Sequence, residues 1–362
     1  EGRGSGLGSR LVWDIDLFRS EVQRTLDSFV DEQGHRLELL GDDAARLVDS
    51  ARESVRGGKR FRAAFCYWGF RAVVEPDDEQ SLIRAASALE LLHASALVHD
   101  DVMDASDTRR GRPSTHRAFE TVHRDKGWSG NPEQYGAAAA ILLGDLLLSW
   151  ADELLRTCGL SSERVLEALG YFDTTRSEVI VGQFLDVSVQ ARGASDVEQA
   201  MRVLRYKSAK YSVERPLHVG AALAGATPET IESLTAFGIP LGEAFQLRDD
   251  LLGVFGDPSV TGKPAGDDLV EGKRTVLVAL AIGALADEDA RKLDAGLGTA
   301  LSPDEVVELC ALIERSGAHA DVERRIDALT TQCLDALAAA PVTESARAVL
   351  RELAAAATQR NL

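Results

Sequence analysis

Residues 91–104 read LLHASALVHDDVMD, and the fold class turns on them. The apolar residues do not alternate as a strand would, and the run reads as one helix. On that helix Asp100 and Asp104 lie one turn apart on the same face. Like charges at this spacing destabilise a helix, and carboxylates at a helix C-terminus also oppose its dipole. A hard divalent cation with oxygen ligands would relieve both. Mg²⁺ fits, because it takes one or two protein carboxylates and leaves its other positions to water and phosphate. The plainer alternative is a solvated acidic helix end, but the apolar residues upstream argue against full exposure.

Helical periodicity extends outward on both sides. It predicts helices over 13–32, 36–54, 61–74, 78–104, 114–124, 135–157, 162–190, 196–224, 228–252, 274–286, 303–315, 318–339 and 343–360. Ser302-Pro303-Asp304-Glu305 has a capping Ser, Pro at the first helical position and Glu at the third. Thr227-Pro228 is a second cap of this kind. Loops are expected at 55–60, 105–113, 125–134, 190–195 and 256–273, the last rich in Gly, Pro, Asp and Lys. Ala, Leu, Glu and Arg dominate, and no run alternates as a sheet would. The expected class is therefore all-α, as one large domain over 11–362. Residues 1–10, EGRGSGLGSR, read as a disordered start or an expression remnant.

Composition narrows the partners. The 362 residues are 45% apolar with a net charge of −18. Nucleic acid is excluded, since binding it needs a basic face. The stretch GAAAAILLGDLLLSW at 136–150 is broken by Asp145 and too short to span a membrane, so no integral membrane segment is expected. Cys66, Cys158, Cys310 and Cys333 form no CxxC pair and suit buried thiols in a reduced, cytoplasmic protein.

Four further features bear on chemistry. His-Asp-Asp-Val-Met-Asp at 99–104 is echoed by Arg-Asp-Asp-Leu-Leu-Gly at 248–253, each followed by a basic, Gly-containing loop. After the first, TRRGRPSTH at 108–116 places Arg109, Arg110 and Arg112 in a tight turn, where guanidinium forks suit phosphate; simple Arg–Asp pairing is the alternative. GGKRFR at 57–62 brings Lys59 and Arg62 to a helix start. Around the second acidic pair, Gln246, Asp249 and Asp250 precede a loop with Lys263 and Lys273. Together these suggest a polyanion clamped between two carboxylate walls. His99-Asp100 also matches the dyad of HD-type phosphohydrolases, but only seven His occur and no second His-rich set accompanies it.

With GGKRFR, DDVMD…SDTRRGRP, GDLLLS at 144–149, GQFLDV at 182–187, Lys207-Ser208, FQLRDD and GKP…DDL…GKRT in order, the chain resembles the trans-isoprenyl diphosphate synthase family over roughly 15–355. It is most similar to actinobacterial geranylgeranyl diphosphate synthases. The resemblance implies an all-α class I isoprenoid synthase bundle around a deep cavity. It also implies condensation of isopentenyl diphosphate with a dimethylallyl, geranyl or farnesyl diphosphate, to give geranylgeranyl diphosphate or else a farnesyl or longer product. Asp100, Asp104 and Asp249 would hold about three Mg²⁺ ions on the allylic diphosphate. Arg109, Lys207 and Lys263 would bind that diphosphate; Lys59, Arg62, His93 and Arg110 would bind isopentenyl diphosphate. Gln246 and the Lys207-Ser208 turn would face the developing carbocation, and Lys273 would close over the phosphates.

Two departures stand out. Gly253 replaces the family's frequent last aspartate of the second motif, and Asp257, four residues on, is no assured substitute. Ser208 stands where Thr is common. The rival readings are a class I terpene cyclase, which needs an Asn-centred motif that neither Asn131 nor Asn361 supplies, and a regulatory subunit, which often lacks motif aspartates or basic residues. Family members are usually homodimers, and 136–150 is the candidate face. In the family, large aromatics four and five positions before the first aspartate stop growth at the farnesyl length; here Ala96 and Ser95 are small, so the product should be longer. Leu92 or a residue of 137–148 is the expected floor.

Overall fold

The computed structural model describes residues 13–193, 196–258 and 264–359. The expectations for 1–10, Lys263 and Asn361 lie outside these residues. Helix α1 (Ile15–Leu37) starts at Asp14, whose side chain accepts from the amides of Asp16 and Leu17. A 3₁₀ turn (Glu38–Leu40) then delays α2 (Asp42–Ser54) to six residues past the expected start at 36. After α3 (Phe61–Arg71), Asp78 caps α4 (Glu79–Met103), which carries the first acidic motif. The loop expected at 105–113 contains a minimal hairpin, β1 (Thr108–Arg109) paired antiparallel with β2 (Arg112–Pro113). Then come α5 (Thr115–Asp125), α6 (Pro132–Arg156) and α7 (Ser162–Arg192).

The continuous helix expected over 196–224 is instead three pieces. These are α8 (Val197–Val203), a π-helical segment (Leu204–Glu214) and α9 (Arg215–Leu223). Pro216 has no amide hydrogen, so the α-helical bond back to Ser212 cannot form. A π-segment of this length is unusual, because π-turns occur mostly singly and often at functional sites.

Thr227 and Pro228 start α10 (Pro228–Phe255) as expected. Within the 256–273 loop lies α11 (Asp267–Val270), and α12 (Val276–Ala284) follows. Helix α13 (Asp287–Gly296) was not expected; its acidic sequence DEDARKLDAG buries only Leu293 and gives little periodic signal. Helices α14 (Pro303–Arg315), α15 (Ala318–Ala339) and α16 (Glu344–Thr358) complete the chain, and the Ser302–Glu305 capping box is present. The fold is all-α apart from the small hairpin.

Helix α10 joins two apolar clusters. One is built from α1–α4, α6, α7, α9 and α16, with Trp68, Phe29 and Phe172 at its centre. The other surrounds the C-terminal half of α10 with α8 and α12–α15. Helix α4 packs against α6, α3 against α9, and the π-segment lies between α7 and α10. Helix α4 is long and apolar enough to cross a membrane, but 78% of its apolar window is buried in the fold. Cys66, Cys158 and Cys333 are buried thiols, whereas Cys310 is half-buried.

His218 of α9 is buried, with Nε2 2.9 Å from Thr235 Oγ1 and Nδ1 3.3 Å from an Arg215 nitrogen. Burial, reinforced by Arg215 and Lys210, pushes its imidazole down to about 3. Below about pH 6.5 the unfolded chain takes up a proton at this position that the folded chain refuses. His218 should therefore cost stability progressively as pH falls from about 6.5 toward 3. In urea melts across this range, His218→Gln should flatten the acid-side decline relative to the parent; parallel profiles would contradict it.

Candidate functional site

A cavity of about 1420 Å³ opens between the C-terminal end of α4, the middle of α7, the π-segment and α10. Its wall brings together Lys59, Arg62, His93, Asp100, Arg109, Arg110, Lys207, Ser208, Gln246, Asp249 and Lys273. Residues from opposite ends of the chain thus meet in one space. Asp104 does not reach the wall. It is the C-cap of α4 rather than a residue within it, although its amide still bonds to the Asp100 carbonyl at 2.8 Å.

The acidic wall is charged, with Asp250 buried, Asp100 half-buried like the nearby Asp104, and Asp249 exposed. Burial raises the Asp104 carboxyl above its ordinary range, and the neighbouring Asp100 raises it further. Burial also opposes charge on Asp100, but Lys207, Lys273 and Arg109 outweigh it and hold that carboxyl low. On the facing helix, burial pushes Asp250 up to about 8; its Gln246 hydrogen bond of 2.8 Å lowers it, while Asp268 and Asp249 add repulsion. Among the described residues, no three His, Cys, Asp or Glu side chains converge tightly enough to hold an ion alone. The donors are all carboxylates, split between two walls. That arrangement fits a hard ion such as Mg²⁺, which completes its shell with water and a phosphate ligand.

Lys207 ties the first acidic wall to α7. Its Nζ is 2.6 Å from Asp186 Oδ2 and 3.2 Å from Asp100 Oδ1. Burial works against its charge, yet Asp100 and Asp186 keep the ammonium above the ordinary lysine range. Gln183 donates to the same Asp100 oxygen at 2.8 Å. Gln183 and Asp186 lie within the GQFLDV motif, but the sequence did not say what they touch. Lys207 comes from the π-segment, which α7 and α10 admit by lacking side chains at Gly182, Gly238 and Gly242. A Cβ on Gly182 would stand 2.5 Å from the Lys207 amide nitrogen, and one on Gly242 2.5 Å from the Ala209 carbonyl oxygen.

The basic side is equally specific. Arg109 grips Asp101 through Nε at 3.0 and 3.3 Å and through a terminal nitrogen, with Asp100 at 3.8 Å. The Arg–Asp pairing considered as an alternative is thus present, and it holds the fork at the cavity wall. Arg110, with φ at 52°, donates to the Arg56 carbonyl at 2.9 Å. Burial, then Arg60, lowers its affinity for its proton. Arg62 donates to Ser212 at 2.7 Å and lies 4.2 Å over the Tyr211 ring. His93 bonds to Tyr211, and burial followed by Arg62, Arg110, Arg109 and Arg60 keeps its imidazole neutral. Crowded cations that repel one another along the cavity wall suit an anionic ligand. Tyr211 carried no sequence signal, because its place depends on the π-segment. Arg60 points inward and pairs with buried Glu90 at 3.2 Å, so it shapes the loop. Arg112 instead pairs with exposed Glu53, outside the cavity.

Deeper in, the wall is apolar, with Leu92, Ala96, Leu148 and Val179. Ser95 also lines it but donates to the Gly144 carbonyl at 2.7 Å, fastening α4 to α6. His99 contacts the Ile141 carbonyl at 3.1 Å and Asp145 at 3.4 Å, so it serves the same helix contact. Asn131 caps α6.

The polyprenyl synthetase family profile matches residues 44–313. A (2E,6E)-farnesyl diphosphate synthase of Mycobacterium bovis is 34% identical over 306 residues, covering 82% of this chain and 78% of that protein. A geranylfarnesyl diphosphate synthase of Aeropyrum pernix is 32% identical, covering 80% and 86%. The crystal structure of a Corynebacterium glutamicum geranylgeranyl pyrophosphate synthase, complexed with isoprenyl diphosphate and magnesium, is 41% identical with a TM-score of 0.94. That match covers 96% of this chain and 100% of the other.

Replacing Lys207 by Met keeps the stem but leaves Asp100 and Asp186 without their shared cation. The ligand-free protein should lose stability, by less than the roughly 3–5 kcal/mol typical of a fully buried broken pair. Mg²⁺ should recover part of that loss. Melting curves with and without Mg²⁺ check this; an unchanged melting temperature would contradict it.

Proposed function

The chain belongs to the polyprenyl synthetase family, and from that premise we propose that it is a trans-prenyltransferase. It condenses isopentenyl diphosphate with an allylic diphosphate to give a linear all-trans prenyl diphosphate, geranylgeranyl diphosphate in particular. One observation carries this reading: two acidic helix segments and a basic cluster share the mouth of a cavity whose depth is apolar.

The chemistry follows from that division. In the first step the allylic carbon–oxygen bond breaks and its electron pair leaves with diphosphate. Asp100 on one wall, Asp104 from the end of the same helix and Asp249 on the facing wall would hold the magnesium, about three ions with bound diphosphate. Bound magnesium supplies Lewis acidity toward the leaving diphosphate. Arg109, Lys207 and Lys263 bind the allylic diphosphate, and Lys273 closes over it. Lys59, Arg62, Arg110 and neutral His93 hold isopentenyl diphosphate. Gln246, Ser208 and the backbone at Lys207 turn oxygens toward the allylic cation, while apolar walls exclude the water that would trap it. The double bond of isopentenyl diphosphate then forms the new carbon–carbon bond. A proton leaves the adjacent carbon, with the released diphosphate as its acceptor.

The rival readings fare worse. A terpene cyclase would need an Asn-centred metal motif, and Asn131 is a helix cap. A regulatory subunit would be expected to lack charged groups that are present here. The outer faces of α6 and α7 expose Leu142 (60%) and Phe184 (68%), along with Ile141 and Ile180. A homodimer through these faces would cover them; a monomer mass by light scattering would rule it out.

Two measurements test the reading. EDTA should abolish turnover while the far-ultraviolet spectrum stays helical, and Mg²⁺ should restore it. Asp100→Ala should lower kcat by about 10²–10³, the scale of a lost electrostatic contact to the transition state. Turnover in excess chelator, or Asp100→Ala at parental activity, would contradict it.

For product length, Ala96 is the informative position, because Ser95 is committed to the α6 contact. Ala96→Phe should fill the upper cavity and shift product from geranylgeranyl toward farnesyl diphosphate, with the melting temperature nearly kept. Ser95→Phe should instead overpack α4 against α6 and lose about 1–3 kcal/mol. Chromatography of the dephosphorylated products beside melting curves checks both; an unshortened product from a folded Ala96→Phe enzyme would overturn the cavity reading.

A further inference from the structure

The two acidic motifs are unequal in sequence. The first runs Asp100-Asp101-Val102-Met103-Asp104, and the second Asp249-Asp250-Leu251-Leu252-Gly253. Gly253 lies inside α10 and is not among the positive-φ glycines. Backbone freedom is therefore not what the position uses; the missing side chain is. A Cβ built there would lie 2.5 Å from the carboxyl carbon of Asp268, and it would overlap the Oδ2 oxygen. The carboxylate of Asp268 thus occupies the space that a residue-253 side chain would enter.

Asp268 reaches this place from α11, in the loop after α10. It is buried and lines the same cavity as Asp249, Asp250 and Gly253. Its Oδ1 is 3.1 Å from Lys273 Nζ, which also lies 2.6 Å from Glu271. Oδ2 is the oxygen turned toward Gly253. Asp268 also acts on its surroundings, since it is one of the charges that raise the neighbouring Asp250 carboxyl.

We propose that Asp268 supplies the third carboxylate of the second acidic wall, replacing in space the aspartate that Gly253 lacks in sequence. Asp257, the nearest downstream aspartate, is not a cavity-wall residue. A side chain at 253 and the Asp268 carboxylate exclude each other, so the glycine and the loop aspartate form one unit. Asp268 helps position the cation held by Asp249, with Lys273 fixing one of its oxygens. This rests on the prenyltransferase reading of the cavity.

The test moves the carboxylate from one element to the other. The full-length protein is melted in fixed inorganic pyrophosphate over a Mg²⁺ titration, which stabilises the folded state by mass action. Asp268→Asn keeps the side-chain shape, and should need about tenfold more Mg²⁺ for the half-maximal shift. Gly253→Asp combined with Asp268→Gly should return that concentration to within about threefold of the parent's. A purely structural tie to Lys273 would lower the melting temperature without metal and leave the Mg²⁺ midpoint unmoved. That outcome overturns the proposal, as does a double variant no better than Asp268→Asn. Product analysis of the unmodified protein judges the functional reading separately: no linear prenyl diphosphate from it would sink that reading, whatever the Mg²⁺ midpoints show.

Discussion

Everything at the mouth of the cavity depends on the crowding of like charges. Asp100 and Asp104 sit a turn apart at the end of a core helix, and Asp249 and Asp250 adjoin each other on the facing one. Asp250 is buried, and burial together with repulsion from Asp268 and Asp249 pushes its carboxyl up to about 8. The fold tolerates them because cations stand between the walls. Lys207 bridges Asp100 and Asp186, and Lys273 bridges Asp268 and Glu271. These ammonium groups sit among the carboxylates and offset their repulsion. The site is thus preorganised in charge as well as in shape.

Holding Lys207 there has a structural cost that the surrounding helices absorb. A π-helical segment is wider than an α-helix and has poorer hydrogen-bond geometry. It persists between α7 and α10 where Gly182 and Gly242 present bare backbone, and Pro216 prevents α-helical register from continuing back through Ser212. Buried ion pairs add to the constraint: Lys210 lies 3.0 Å from Glu214, and Arg215 lies 2.7 Å from Glu178 on α7. The same segment carries Ser208 to the cavity and Tyr211 to its basic side, where it touches both His93 and Arg62. One irregular element therefore sets the spacing between the acidic and basic halves.

The apolar depth of the cavity is set by a different contact. Helices α4 and α6 approach closely at Gly144, where Ser95 donates to the backbone and His99 packs alongside. Small residues at 95 and 96 thus have separate causes: Ser95 serves the helix contact, and Ala96 leaves space in the cavity.

The sequence by itself determined the helical class, the α10 and α14 caps, and the two acidic motifs with their basic loops. Each is written in local periodicity or short spacing, which a single chain segment expresses without its neighbours. It also marked GQFLDV as a motif and Gly253 as a departure, without saying what either touches. The tertiary structure alone decided that Asp186 shares Lys207 with Asp100, that residues 204–214 wind as a π-helix, and that Asp268 stands where a residue-253 side chain would be. These depend on how closely backbones approach across helices far apart in sequence. Steric exclusion at such a contact leaves no periodic trace in either strand of sequence that makes it. The acidic helix α13 went unseen for a related reason: with Leu293 alone buried, it presents no apolar stripe to read.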